Sequence, residues 1–301
     1  MSFVICKLPK AGLGNQLFPL IKAHVFGHLN RLPVVVTNYH HIKAGPYLRC
    51  EKNKRRYHGF FKFQRSVLGA LWERRKLVVT QQYKTVEEPP LKNIGANFLK
   101  DTVYEFSTMP SWTDYFAGLK ENRQLAIELF YKLIRPEIVA QVAQMDSPVI
   151  GVHVRMGDFR KLGPGEEFSK VGAVRTPQQY FIDVIHWLRK IHGANLPVSL
   201  FSDGYKEELA AILSLPGVTL VTGNNDLQDL LLLSKSKIIV TSAGSTFSYW
   251  AGFLSDAVLL MHPDHVHEPI RPVDFNKLSY EGVVDEQNIT LVNNIRALQP
   301  A

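Results

Sequence analysis

At 301 residues, with 46% hydrophobic and 21% charged residues, the chain is long enough for two domains with separate cores and too balanced to be disordered or fibrous. No apolar run approaches the roughly 18 residues of a membrane helix, and the start, MSFVICKLP, lacks the charged-then-apolar signature of a secretion signal. The net charge of +8 is concentrated between Arg49 and Lys76, where ten Lys and Arg face only Glu51 and Glu73; elsewhere the two signs cancel. Cys6 and Cys50 sit in no metal or redox spacing, so a reduced, cytoplasmic setting is expected.

Phe3 to Cys6 reads as a short strand. The turn Ala11-Gly12-Leu13-Gly14-Asn15-Gln16 follows, then a helix from about Asn15 to Asn30 with Leu17, Leu20, Ile21, Val25 and Leu29 on one stripe. Pro33 to Val36 predicts a second strand, which makes a β–α–β start. The turn has Gly-x-Gly without a third glycine, so it is not the dinucleotide fingerprint. Its glycines permit a close backbone approach to a ligand, and Asn15 is placed to cap the helix or touch that ligand. A plain tight turn with a capping Asn is the alternative.

The basic block also holds Tyr57, Phe60, Phe61, Phe63 and Trp72. Such a mixture binds nucleic acid, anionic lipid or an acidic polymer, or else forms a solvated insertion whose aromatics pack inward. Leu77 to Thr80 is expected to return to the sheet, whereas residues 81–120 show no pattern beyond a turn at Pro89-Pro90. Asn122 to Ile134 predicts a helix, and Arg135-Pro136 to Asp146 a helix that leads between domains.

The second half is more regular. Val149–Val154, Val198–Phe201, Val218–Val221, Lys237–Thr241 and Ala257–Met261 read as strands. Between them fall helices from the cap Thr176-Pro177 to His192, closed by Gly193, then Lys206–Leu213, a run from near Asp226, and Thr246–Leu254. Five strands alternating with four helical connections predict a parallel, doubly wound sheet. The expected architecture is α/β: two Rossmann-like domains, residues 1–145 and 146–301, facing across a cleft.

Chemistry gathers at the ends of those strands. In Pro148 to Arg160, PVIGVHVRMGDFR, an apolar strand gives way within a few residues to His153, Arg155 and Asp158. Strand alternation sets His153 and Arg155 on one face and Val152 and Val154 on the other. The carboxyl edge of an open α/β sheet is where ligands bind; an ordinary ion pair between Arg155 and Asp158 is the alternative. Ser242-Ala243-Gly244-Ser245-Thr246 precedes a helix, where amides, hydroxyls and the helix dipole converge on an anion, unless it is merely a cap. Asp203 and Asn224 end two further strands at the same edge, and together these groups describe a diphosphate pocket. His262, His265 and His267 match no common zinc spacing and read as a surface or hinge loop; no metal site is expected.

Gly12-Leu13-Gly14-Asn15-Gln16-Leu17-Phe18, His153-Val154-Arg155-Met156-Gly157-Asp158 and Ser242-Ala243-Gly244-Ser245-Thr246-Phe247, in this order, resemble the α-1,2-fucosyltransferase family, glycosyltransferase family 11. The resemblance spans both halves and implies a GT-B fold, GDP-fucose as donor, inversion at the anomeric carbon and no obligatory metal cofactor. It implies that His153 faces the nucleoside and Arg155 the diphosphate. Ser245 and Thr246 would also hold phosphate, and Gly12, Gly14 and Asn15 would approach the donor from the first domain. The family motif has two adjacent arginines, and Met156 stands in place of the second.

The function expected is transfer of L-fucose from GDP-fucose to a glycan hydroxyl, α-1,2 to galactose, on an oligosaccharide or lipid-linked acceptor. Arg155 would stabilise the departing GDP, with Asp158 the first candidate for general base, and Glu166, Glu167 and His24 others. Residues 49–76 add an expectation of membrane-surface contact, and no nucleic acid is expected. Two alternatives are a GT-B transferase with another donor or linkage, and a non-enzymatic binder of nucleic acid or acidic polymer.

Overall fold

The computed structural model describes residues 2–38, 45–48, 57, 59–62, 84–95, 101–265, 267–273 and 279–298. Most of the basic block, and the strand expected at Leu77–Thr80, lie outside them. Two compact units emerge: Met1–Ile42, Arg56–Ser111 and Phe116–Val139 in the first, Lys43–Arg55, Trp112–Tyr115 and Ala140–Ala301 in the second. No helix of the described residues is long and apolar enough to cross a membrane.

The first unit holds a parallel four-stranded sheet. Strand β1 (Phe3–Lys7) runs into helix α1 (Leu13–Asn30) and β2 (Val34–Thr37). After the one-turn helix α2 (Gly45–Leu48), counted with the second unit, come β3 (Lys84–Glu87) and β4 (Thr102–Phe106), in the order β2-β1-β4-β3. The register pairs Val4 with Val34 on one side and Tyr104 on the other. Helix α1 buries Leu17, Phe18, Ile21, Val25 and Phe26, an apolar stripe at helical spacing. It starts earlier than the sequence suggests, because extended Gly12 is the N-cap; Gly14 and Asn15 therefore lie within its first turn, and Asn15 is not the cap. Helix α3 (Arg123–Leu133) and part of α4 (Pro136–Ala143) belong to this unit.

The second unit is a six-stranded sheet, parallel throughout: β5 (Ile150–Val154), β6 (Val198–Ser202), β7 (Val218–Leu220), β8 (Ile238–Val240), β9 (Val258–Leu260) and β10 (Glu281–Gly282). The order β10-β9-β8-β5-β6-β7 seats β5 at the point where chain order reverses. That position is where open α/β sheets place ligands. The connecting helices are α5 (Gln178–His192), α6 (Ala210–Leu213, after a 3-10 turn), α7 (Asp226–Ser234) and α8 (Thr246–Leu254), and α9 (Ile289–Arg296) closes the chain. Helix α5 stops at Gly193, whose φ of 80° is the left-handed cap conformation glycine adopts freely. Thr176, expected to cap that helix, does not: its hydroxyl accepts the Ala243 N–H at 2.9 Å and so binds two loops together.

Candidate functional site

Strand β5 is buried at every position, so its chemistry begins where it ends. Val154 pairs with Ser202 in register, and that sets residue 203 beside residues 155 and 156. The Asp203 carboxylate is ion-paired with the Arg155 guanidinium through one oxygen and accepts the Met156 N–H at 2.8 Å through the other. Asp158 takes the other end of the guanidinium at 2.6 Å, and the Phe159 ring lies 5.6 Å from the Arg155 Cζ. Asp203, expected to touch the ligand, is thus placed to position Arg155. Asn224 likewise serves its own helix, its amide donating to Asp229 at 3.0 Å, while Asn225 caps α7.

The loop after β8 is fastened to β5 by one hydroxyl. Ser242 Oγ donates to the His153 carbonyl at 2.7 Å and accepts the Arg155 N–H at 2.8 Å. The amides of this loop, expected as anion donors, are instead spent inside the protein. Ala243 N–H goes to Thr176, Gly244 N–H to the Tyr249 hydroxyl at 2.8 Å, and Ser245 N–H to the Ser242 carbonyl at 3.2 Å. The loop then leads into the first turn of α8, the positive end of that helix. Ser245 is its N-cap, 3% exposed and without a side-chain capping bond, and Thr246 is its first residue. Gly244 has φ +68°, so a side chain there would be strained.

His153 is 4% exposed and stacks on Phe247 at 4.8 Å and 26°, with Nδ1 enclosed and unpartnered. Burial lowers its pKa from 6.5 to about 3; Asp203 opposes the shift and Arg155 adds to it. Met156 points the other way, into the core beside Val154, as alternation predicts. It fills the space above Gly204, where an added Cβ would meet Met156 Cγ at 2.6 Å. A guanidinium at 156 would have to enter that apolar layer, so Arg155 is the motif's one cation facing the sheet edge.

The other acid–base candidates are committed elsewhere. Glu166 is held by Arg160 at 2.7 Å and by the Gly163 N–H at 2.7 Å, which together lower its pKa and its basicity. Glu167 pairs with Lys170 at 2.8 Å on the surface. His24, in α1, is pushed down to about 4 by burial. His262, expected in a surface loop, is 8% exposed among Phe168 and Tyr180; its Nδ1 accepts the Asp264 N–H at 3.2 Å. Among the described residues, no group of three or more His, Cys, Asp or Glu is placed to hold a metal ion.

With this geometry in hand, comparison with known proteins identifies the lineage. The family model for glycosyl transferase family 11 matches residues 61–269, more than half of the chain. The chain belongs to glycosyl transferase family 11. It is accordingly a glycosyltransferase, and its two parallel α/β sheets are those expected of a GT-B-like member. No curated protein matches the sequence. Among solved structures, similar chains include NodZ from Bradyrhizobium, a fucosyltransferase, at 15% identity and a TM-score of 0.45, covering 84% of this chain and 93% of that one. A mutant of Arabidopsis thaliana FUT1 in complex with GDP gives 14% identity and a TM-score of 0.48, with 90% and 75% covered. POFUT1 in its apo form gives 13% and 0.48, with 87% and 97% covered.

Two buried histidines give this family member a defined acid sensitivity. Each binds its proton at lower pH folded (about 3 for His153, about 4 for His24) than unfolded, near 6.5. Stability is therefore full above about pH 6.5 and falls below it, by about 1.4 kcal/mol per pH unit and per histidine, until the folded form protonates too. Tm should drop between pH 7 and pH 5, and His153→Phe should flatten the drop for the unit that contains it. A Tm constant across that range would count against neutral burial.

Proposed function

We propose that the chain transfers L-fucose from GDP-fucose to a glycan hydroxyl with inversion, forming an α-1,2 linkage to galactose and needing no metal. Family membership supports sugar transfer. The single observation that carries the donor reading is the Ser242 bridge, which ties the backbone of residue 155, the motif's arginine, to the loop leading into α8. A guanidinium offers two parallel N–H donors to a diphosphate, and a helix N-terminus adds its dipole.

In this mechanism Arg155 stabilises the negative charge that builds on GDP as the anomeric C–O bond breaks. The acceptor oxygen attacks the opposite face of that carbon, and its proton passes to a base, for which Asp158 is the candidate in the same turn. Asp158 is 37% exposed, and an ion pair at such exposure contributes only about 0–1 kcal/mol. Its hold on Arg155 is therefore readily exchanged for phosphate. Asp203, with a second bond to Met156, stays in place.

GDP should raise Tm equally with and without EDTA, and UDP should not; a ligand at about 100 times its Kd stabilises by about 2.7 kcal/mol. Protection that needs a divalent cation would overturn the metal-free reading, and protection by UDP would overturn the donor. Residues 49–76 are read as engaging the acceptor or a membrane surface. A variant with Lys54, Arg55 and Arg56 changed to Ser should keep full GDP protection, and its loss would return the block to donor binding.

A further inference from the structure

The candidate site is assembled from loops that three strands, β5, β6 and β8, leave at one sheet edge. A two-residue segment just before α5, Arg175-Thr176, fastens all three. It lies beside Arg160, whose N–H donates to the Ala173 carbonyl at 3.0 Å and whose carbonyl accepts the Arg175 N–H at 2.9 Å. From there the planar fork of the Arg175 side chain spans two loops. Its Nε donates to the Phe159 carbonyl at 2.9 Å, in the loop after β5. Its Nη1 donates to Glu208 Oε1 at 2.8 Å, in the 3-10 turn Lys206–Leu209 after β6. Thr176 adds the loop after β8 through the Ala243 N–H.

Glu208 is itself fixed. Its Oε2 accepts the Tyr205 N–H at 3.0 Å, and its carbonyl accepts a hydrogen from Gln178 Nε2 at 2.6 Å. Tyr205 stands two residues after Asp203, and Phe159 directly follows Asp158. The Arg175 guanidinium therefore joins the same two loops whose carboxylates hold the two ends of Arg155. When phosphate takes the place of Asp158 on Arg155, the Phe159 carbonyl keeps its bond to Arg175, so the turn that carries the carboxylate stays tied to the loop of Asp203. The Arg175 and Glu208 side chains are 23% and 33% exposed, and an ion pair so open to water contributes little to stability. What it adds here is geometry.

The geometry points to Arg175 as a positioning residue for the reaction: it fixes the loop bearing Asp158 to the loop bearing Asp203, so that Arg155 and Asp158 meet the donor in one arrangement. The inference rests on the reading of Arg155 and Asp158 above, but its first test needs no donor. A guanidinium held at both Nη groups turns slowly about its Nε–Cζ bond, so the two Arg155 Nη signals should be resolved in the 15N spectrum of the wild type, assigned by their loss in Arg155→Lys. Asp158→Ala removes one hold and sets the benchmark for a freed guanidinium. Arg175→Met keeps the aliphatic stem and loses both bonds, and it should merge the two signals as Asp158→Ala does. Unresolved signals in the wild type, or signals unmoved in Arg175→Met, would overturn the inference.

With GDP-fucose and lactose, Arg175→Met should lower kcat about 10–100-fold, within the loss that a misplacement of about 1 Å carries. The Kd for GDP should stay within about threefold of wild type, because Arg155 itself remains. Glu208→Ala breaks the same link from its other end, so the double variant should be no slower than the slower single one; losses that multiply would mean independent roles and overturn the link. A kcat within about threefold of wild type in Arg175→Met, measured well below its Tm, would leave Arg175 a surface ion pair only. A GDP Kd that rises as far as kcat falls would put Arg175 on the donor itself, which also overturns the inference. If Arg175→Met fails to fold, Glu208→Ala carries both readouts. If the wild type consumes no GDP-fucose while the Arg155 signals respond as expected, the donor assignment falls and the positioning of Arg155 stands.

Discussion

Arg155→Ala should lower fucosyl transfer by about 10²–10³, the loss expected when one preorganised donor to a departing anion is removed. The guanidinium is set before substrate arrives: Asp203 holds one end, Asp158 the other, and Phe159 lies beneath it. Met156 points into the core, so no neighbouring arginine can substitute. Arg155→Lys keeps the charge and loses the planar two-point contact, and should be nearly as impaired. The experiment must separate chemistry from structure, because Arg155 is also an ion-pair partner. In Arg155→Ala the Asp203 carboxylate, only 12% exposed, keeps the Met156 N–H alone, a cost of about 1–3 kcal/mol. Adding Asp203→Asn removes that stranded charge and should restore Tm without restoring turnover. A folded Arg155→Ala protein with more than about a tenth of wild-type turnover contradicts a loss of this size. If the double variant recovered activity with stability, Arg155 would be a structural ion pair only.

The sequence was legible wherever an apolar run met a terminating residue. Val149-Ile150-Gly151-Val152 reads as a buried strand and is one, Gly193 stops α5 in the conformation glycine favours, and α8 begins and ends where its residues suggest. What escaped was β4, Thr102–Phe106, an interior strand buried at four of five positions, and the sheet edges: β3, Lys-Thr-Val-Glu, exposes three of its four residues, and β10 has only two, so neither edge strand carries an apolar signal. Contacts between distant residues escaped as well. Thr176 has the chemistry of a cap, but its hydroxyl reaches Ala243 instead, and Asp203 reaches Arg155 through a strand register that no spacing reveals. His267 sat in a visible cluster, H-P-D-H-V-H, whose irregular spacing argued against zinc. Its packing on Tyr115 and Tyr249 depends on Trp112–Tyr115 joining the second unit, which the order of residues along the chain hides.

The same concealment holds for Arg271 and Glu281, which should give the largest stability losses in the protein. The pair is buried, 0% and 4% exposed, with Nε and Oε2 3.0 Å apart. Arg271 also donates from Nη1 to the Ala257 carbonyl at 2.8 Å and from Nη2 to the Tyr280 carbonyl at 2.9 Å, and Glu281 Oε1 accepts the Ile270 N–H at 2.7 Å. Burying two ions costs several kcal/mol apiece, and only pairing reinforced by further hydrogen bonds of this kind offsets it. Removing one partner strands the other, so Glu281→Gln or Arg271→Ala should each cost about 3–5 kcal/mol, roughly 6–20 °C in Tm at about 2–4 °C per kcal/mol. Replacing both partners with apolar residues, Arg271→Met with Glu281→Leu, should cost far less than the sum of the single changes, because no charge remains to be stranded. The two residues also bracket β9 against β10 and close the loop that carries His267. Single variants that lose less than about 1 kcal/mol, the scale of an exposed pair, would show that water reaches this site and that the loop is held by other means.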